Sequence, residues 1–468
     1  MRKHIHIFCC VTAVLIGGCA HYPVNAPLNR YDAQAGYRFN NLSSAKNSDE
    51  LLVVLAFSGG GTRAAALSYG VLEQLSKTEI SVAGNTRRLL DEVDLISSVS
   101  GGSFTAAYYA LFGDRIFTEF EPRFLKRNIQ GRLFCALHWP HNWLRVASPR
   151  FGVSDLAAEY YDRRIFEGHT FGDLVARGRK PFLMINATDI MLGARFEFTQ
   201  DQFDLLGSDL GAFSVGRAVA ASSAYPILVG PIILKNHAGK TTHMEPGWIG
   251  AALNDRQASA RRVNRAVEAR SYLDAKKRQF VHLVDGGIAD NLGLRGPLEG
   301  VMVQDSAWAA MRQSKSEAVR KAVLIVVDSH VDRDYGWDQQ DSNPRLMQLI
   351  RSAAEIPVSR YSFETIELFK ENVSRWANEI ENERAKSGNS SPQPNESQFY
   401  PIELRFNNLA DEDDRNFFNK VPTSLKLPPA SVDRLRRIAA SALSGNEVFR
   451  RLLQDLGESR TASTLACP

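Results

Sequence analysis

Short apolar runs recur along the chain, and most are closed by a cluster of Gly, Ser or Asp. "ELLVVLAF" (50–57) reads as a buried strand and "SGGGT" as the turn after it. "RAAALSYGVLEQLSK" (63–77) then reads as a helix, with Thr62 placed to cap it. "VDLISS" (93–98) repeats the pattern, passing through serines and glycines into a helical stretch that reaches Leu111. This strand–turn–helix repetition predicts a parallel sheet covered by helices. Runs at 181–189, 225–234, 279–287 and 321–329 fit the same sheet, and 399–406 adds one strand more. The polar insert at 235–278 reads as surface decoration carrying an exposed helix, with a lid as the second reading. Residues 344–385 read as largely helical, 385–397 as a flexible loop and 431–443 as an amphipathic helix. The predicted organisation is an α/β region over 50–335, followed by a mainly helical region over 336–468 that packs on it or extends it. Residues 19–49 read as a polar tether.

Composition adds little to this picture: 44% hydrophobic and 23% charged residues are those of a globular chain with a normal core. The N-terminus stands apart. Arg2 and Lys3 precede an apolar run, Ile5 to Ile16, too short for a membrane span and suited to a signal segment over 1–18. The run ends Leu15-Ile16-Gly17-Gly18-Cys19-Ala20, which resembles a bacterial lipobox. That resemblance implies cleavage before Cys19, lipidation of Cys19 and, with Ala20 following, the outer membrane of the cell envelope. The alternative is an ordinary secretory signal cut nearby. Removing residues 1–18 lowers the net charge from +4 to +2, which leaves no basic footprint for nucleic acid. Cys135 and Cys467 read as one buried thiol and one tail thiol without metal-site spacing, and whether they pair is open. His138, His141, His169, His237, His243 and His282 form no metal-binding pattern; His237 and His243, in the insert, read as solvated. Trp139, Trp143 and Leu144 read as core or as an interfacial patch.

Three stretches carry candidate chemistry. In "SSVSGGS" (97–103) a sharp strand-to-helix turn lifts Ser100 above the sheet, with small residues, Ser98 and Gly102, two positions either side. Glycine is usual at the first of these, so Ser98 is a departure. In "FSGGGTRAA" (57–65), Gly59, Gly60 and Gly61 leave amides uncovered at a helix start, suited to a developing oxyanion. Arg63 either braces this loop or attracts an anionic head group. In this loop the glycines are followed by Thr-Arg and form neither Gly-Lys-Ser/Thr nor GxGxxG, which argues against the usual nucleotide loops. In "LVDGGIADNLGL" (283–294), Asp285 ends an apolar strand at the sheet edge where α/β sites form, and Gly286 and Gly287 allow a close turn past it. Asp290 and Asn291 read as holding the next loop through backbone hydrogen bonds.

Taken together, "SGGGTR", "SSVSGGS" and "VDGG", with "AVAASSAYPILVGPI" (218–232), resemble the patatin-like phospholipase family over roughly 50–330. The resemblance implies a three-layer α/β/α fold with a mostly parallel central sheet and hydrolysis of lipid acyl esters. It implies Ser100 as nucleophile, Asp285 as its base and Gly59–Gly61 as the oxyanion hole. It implies no metal, no nucleotide and no other cofactor; the partners are a membrane lipid substrate and the membrane itself. Ser58 stands where many relatives have Asp. Two alternatives stay open. One is a Ser–His–Asp esterase with Asp285 or Asp328 as acid and His330 as base. The other is a non-catalytic lipid-binding envelope lipoprotein. Oligomeric state, acyl and head-group preference are not legible.

Overall fold

The computed structural model describes residues 20–42, 47–82, 84–226, 229–240, 245–255, 257, 259–304, 306–331, 339, 341–386 and 398–457. Cys19, His243, Cys467, the signal segment and residues 387–397 of the loop expected at 385–397 lie outside them, while 385 and 386 are helical.

Among the described residues there are ten strands: β1 (Leu51–Phe57), β2 (Glu79–Val82), β3 (Asn85–Arg88), β4 (Val93–Val99), β5 (Phe182–Asp189), β6 (Ala194–Glu197), β7 (Ile232–Lys235), β8 (Phe280–Asp285), β9 (Lys321–Asp328) and β10 (Gln398–Arg405). The central sheet runs β10-β9-β1-β4-β5-β8-β7, with β6 also on β5. From β10 to β5 every pairing is parallel. Beyond β5 the sheet is antiparallel, because β8 and β6 run against β5, and β7 against β8. Of the described residues in the run expected at 225–234, those from Ile232 onward form a strand, β7. The β2–β3 hairpin and β6 were not expected. Each is a four-residue strand, too short to carry a periodic apolar signal.

The layering follows from the two-residue period of a strand. Val323, Ile325 and Val327 of β9 face the main core with Val53, Leu55 and Phe57 of β1. Leu324 and Val326, with Ala56, face a second core filled by Ile366, Phe369, Trp376 and Ile380 of the long helix Leu346–Lys386. All seven residues of β4 are buried, as expected of a strand covered on both sides. The helix Pro429–Gly445 lies on helix Gly61–Lys77 so closely that a Cβ on Gly70 would stand 2.5 Å from the Arg436 carbonyl oxygen.

Four local expectations change. Residues 20–42 are irregular but laid against the body: Tyr37 is fully buried and its hydroxyl accepts the Leu183 N–H at 2.7 Å. In the insert, the helix Ala260–Tyr272 buries Ala266, Ala269 and Tyr272, and the Tyr272 hydroxyl donates to Asp189 at 2.9 Å. His237 is buried rather than solvated, its Nε2 3.0 Å from the Asn25 carbonyl oxygen, because the N-terminal segment covers it. Cys135 is exposed, not buried, since its short helix packs through Ile129 instead. Among the described residues no helix is long and apolar enough to cross a membrane, and no cluster of His, Cys, Asp or Glu suits a metal.

Candidate active site

β4 ends at Val99 and a helix starts at Gly101, so Ser100 alone makes the turn. It takes φ 48°, ψ −116°, a conformation that a residue with a side chain holds only when its neighbours impose it. Those neighbours are visible. The Ser100 N–H donates to Ser222 Oγ at 2.8 Å. Ser222 Oγ in turn donates to the Asn186 carbonyl at 2.6 Å and lies 3.0 Å from Ser103 Oγ. The Gly102 N–H donates to the Ser58 carbonyl at 3.2 Å. A side chain at 102 would put Cβ 2.7 Å from the carbonyl oxygens of Phe57 and Ser58. The unusual Ser98 is absorbed without strain: it is buried and donates to the Met184 carbonyl across the strand gap at 3.3 Å.

Asp285 reaches the same place by a different route. β4 meets β5 as far as Val99↔Asn186. β5 continues to Asp189, and β8 pairs only with that overhang, through Asp189↔Leu283, Thr188↔Val284 and Ala187↔Asp285. β8 therefore approaches from beyond the end of β4 and stops level with Ser100. The Ser100 hydroxyl donates to Asp285 Oδ2 at 2.8 Å across 185 residues of sequence. The other carboxylate oxygen accepts the Gly287 N–H at 2.8 Å, and the Asp285 carbonyl accepts the Thr188 hydroxyl at 2.8 Å. Each of the pair is 9% exposed. Burial pushes the Asp285 carboxyl up to about 6, against the opposing pull of the Gly287 N–H and the Ser100 hydroxyl. Gly286 lets β8 close onto β5, since a Cβ there would lie 2.3 Å from the Asn186 carbonyl oxygen.

The glycine loop divides its work. Gly59 donates its N–H to the Asn291 carbonyl at 2.9 Å, and its own carbonyl accepts the Ser329 hydroxyl at 2.7 Å. Thr62 donates to the Ser424 carbonyl at 2.8 Å. The amides of Gly60 and Gly61 have no protein acceptor among the described residues, and they stand at the positive end of helix Gly61–Lys77. The expected oxyanion donors thus narrow from three glycines to two. Arg63 braces the loop: buried, it donates to the carbonyls of Ser329 and Val421 and to Thr423 Oγ1.

Asp290 holds the following loop by accepting the Arg295 N–H at 2.8 Å, whereas the Asn291 carbonyl accepts the Gly59 N–H and so holds the glycine loop instead. Burial raises the Asp290 carboxyl to about 6, with Arg195 pulling it down. His330 stays apart. Its N–H donates to Asp328 at 2.9 Å and its Nε2 sits 3.3 Å from Ser359 Oγ, while Asp328 pairs with Arg405 at 3.2 Å. Among the described residues it shares no hydrogen bond with Ser100 or Asp285.

Sequence reading missed Asn186 and Ser222. Asn186 Nδ2 donates to Ser97 Oγ at 2.9 Å and to the Ser98 carbonyl at 3.1 Å, which locks β5 to the elbow. The signal was present in "FLMINATD", where a fully buried amide interrupts an apolar strand and must find partners.

The patatin-like phospholipase model matches residues 55–298. No curated protein matches the chain at a significant level. Among solved structures, human GIVD cytosolic phospholipase A2 is similar at a TM-score of 0.40 and 13% identity, over 87% of this chain and 60% of that one. VipD from Legionella pneumophila is similar at a TM-score of 0.30 and 12% identity, over 91% of this chain and 71% of that one. This chain therefore spans about 60% of the length of the human enzyme. The family match takes in the glycine loop, the elbow and Asp285 together and covers just over half of the sequence, so this chain belongs to the patatin-like phospholipase family.

Proposed function

We propose that this protein hydrolyses acyl esters of membrane lipids through a Ser100–Asp285 dyad. The observation that carries the reading is the 2.8 Å hydrogen bond from a strained, nearly buried serine to a buried carboxylate. The distance lies in the range a general base needs. Burial disfavours the carboxylate's charge, so it takes a proton more readily than a solvated aspartate does.

The steps follow from these positions. Ser100 Oγ attacks the ester carbonyl carbon while its proton passes to Asp285 Oδ2. The carbonyl π electrons move to oxygen, where the Gly60 and Gly61 amides and the start of helix Gly101–Phe112 stabilise the negative charge. The oxyanion collapses, the bond to the leaving alkoxide breaks, and the Asp285 proton goes to that oxygen. Water then gives its proton to Asp285 and attacks the acyl-serine, and Ser100 recovers the proton as the fatty acid leaves. Asn186 and Ser222 are positioning residues that hold the turn.

The lipobox-like Cys19 supports a lipid-anchored protein of the bacterial envelope, where acyl chains are concentrated. The test is lipid hydrolysis by the full chain in mixed micelles. Ser100→Ala and Asp285→Asn are expected to lose at least about 10³-fold in turnover while keeping their far-UV spectrum. His330→Ala is expected to retain most activity; near-complete loss there would favour the Ser–His–Asp esterase. Failure of a fluorophosphonate probe to label Ser100 in folded protein would favour the non-catalytic reading.

A further inference from the structure

We propose that the helical pair Ile129–Leu137 and Pro140–Val146 docks this protein onto an anionic lipid surface, with Phe134, Trp139 and Trp143 entering the head-group layer. These three side chains are 62%, 63% and 57% exposed, the largest aromatic surface the described residues leave open. The Trp143 N–H donates to the Trp139 carbonyl at 3.3 Å, so the two indoles sit one helical turn apart on one face. The Phe134 ring packs 4.2 Å from that of His138, at the junction between the helices.

The segment that carries them has charges of one sign. From Pro122 to Ser154 the chain contains no Asp or Glu, but it carries Arg123, Lys126, Arg127, Arg132, Arg145 and Arg150. Arg123, Lys126 and Arg145 are neutralised by acids from elsewhere. Arg132 and Arg150 are exposed and have no acidic partner among the described residues. Exposed tryptophans rimmed by free cations suit the interface of an anionic bilayer, where an indole is half wet and half apolar.

Position strengthens the case. Ala20, the residue after Cys19, is held at this element, its carbonyl accepting the Ser148 hydroxyl at 2.6 Å. Tyr22 donates its N–H to the Arg150 carbonyl at 2.8 Å. The chain bearing Cys19 thus joins the body beside the tryptophans. At the other end of the element, Ile129 donates to the Leu425 carbonyl at 3.1 Å, while the adjoining Ser424 carbonyl accepts Thr62 of the glycine loop. One element therefore connects the anchor's point of attachment, the aromatic patch and the loop over Ser100. The inference rests on the lipid-substrate reading for its purpose but is measured without it.

The experiment uses the full chain reconstituted into vesicles of phosphatidylethanolamine and phosphatidylglycerol. Brominated acyl chains are expected to quench tryptophan emission. Trp139→Phe with Trp143→Phe is expected to remove most of that quenching, although Trp248, Trp308, Trp337 and Trp376 remain. Trp139→Ser with Trp143→Ser is expected to lower hydrolysis of vesicle lipid about tenfold while leaving a monomeric soluble ester unaffected. Arg132→Glu with Arg150→Glu is expected to abolish the preference for anionic over neutral vesicles. Quenching unchanged in the Phe variant would overturn the inference. So would a concentration-dependent dimer that the Ser variant dissolves, since a second copy would then be the occupant. An inert wild type that still shows the quenching would sink the hydrolase reading and leave this one standing.

Discussion

Ser100 follows the end of one strand and Asp285 ends another, and each leads into a helix, yet the two turns are built differently. The Ser100 turn is strained, with φ at 48°, while Gly286 after Asp285 sits at φ −63°, ordinary helical backbone. The parallel strand β4 delivers the serine and the antiparallel strand β8 delivers the carboxylate from the opposite side. The difference matches the two tasks proposed for them. A nucleophile has to be lifted clear of the sheet, which takes backbone strain. A base has to be shielded and aimed, which takes burial and one well-placed amide, here that of Gly287. Both turns nevertheless depend on a glycine pressed against neighbouring backbone, Gly102 against β1 and Gly286 against β5.

That shared dependence gives the largest effect to look for after loss of the dyad itself. Gly102→Ala and Gly286→Ala should each cost about 10²-fold or more in turnover, because either moves one partner by a sizeable fraction of an ångström from the other. Retained activity in either, measured on a soluble ester, would break the claim that both turns are set by close packing.

The base sharpens the contrast through pH. With its carboxyl held near 6, Asp285 loses basicity as it protonates. The ratio kcat/KM should level off above about pH 6 and fall about tenfold per unit below it. A profile flat to pH 4.5 would mean that another group accepts the proton. Stability runs the other way. The folded state holds this proton more tightly than the unfolded chain does. Asp285 therefore makes folding less favourable as pH rises from about 4 to about 6, and its effect is constant above that.

The smallest effect concerns strain. Ser100→Gly should melt higher than Ser100→Ala by about 1 kcal/mol, because alanine keeps the Cβ that makes φ 48° costly and glycine does not. Equal melting temperatures would show the turn to be unstrained.

Much of the site was legible because its chemistry is local. A strand running into a Ser/Gly turn identifies an elbow wherever it occurs, and three adjacent glycines at a helix start expose amides whatever lies around them. Asp285 carries the same kind of signal, an apolar strand ending at the sheet edge, although that strand, expected in the parallel sheet, runs antiparallel to its neighbours. Arg63 resisted a single reading because its partners lie at Ser329, Val421 and Thr423, far along the chain. The same holds for Gly59, whose amide is taken by Asn291, and for Cys135 and His237, whose exposure depends on which segment covers them.

The sequence by itself determined the alternation that builds a covered sheet, the turn that raises Ser100, and the family to which the chain belongs. Only the tertiary structure decided the direction of β8, the overhang of β5 that brings Ala187 opposite Asp285, and which glycine amides stay available. The physical reason is range. Periodicity and turn chemistry act over a few residues, while strand direction, register and burial are settled between segments up to hundreds of residues apart, where one residue of slip would carry the carboxylate to the other face of the sheet.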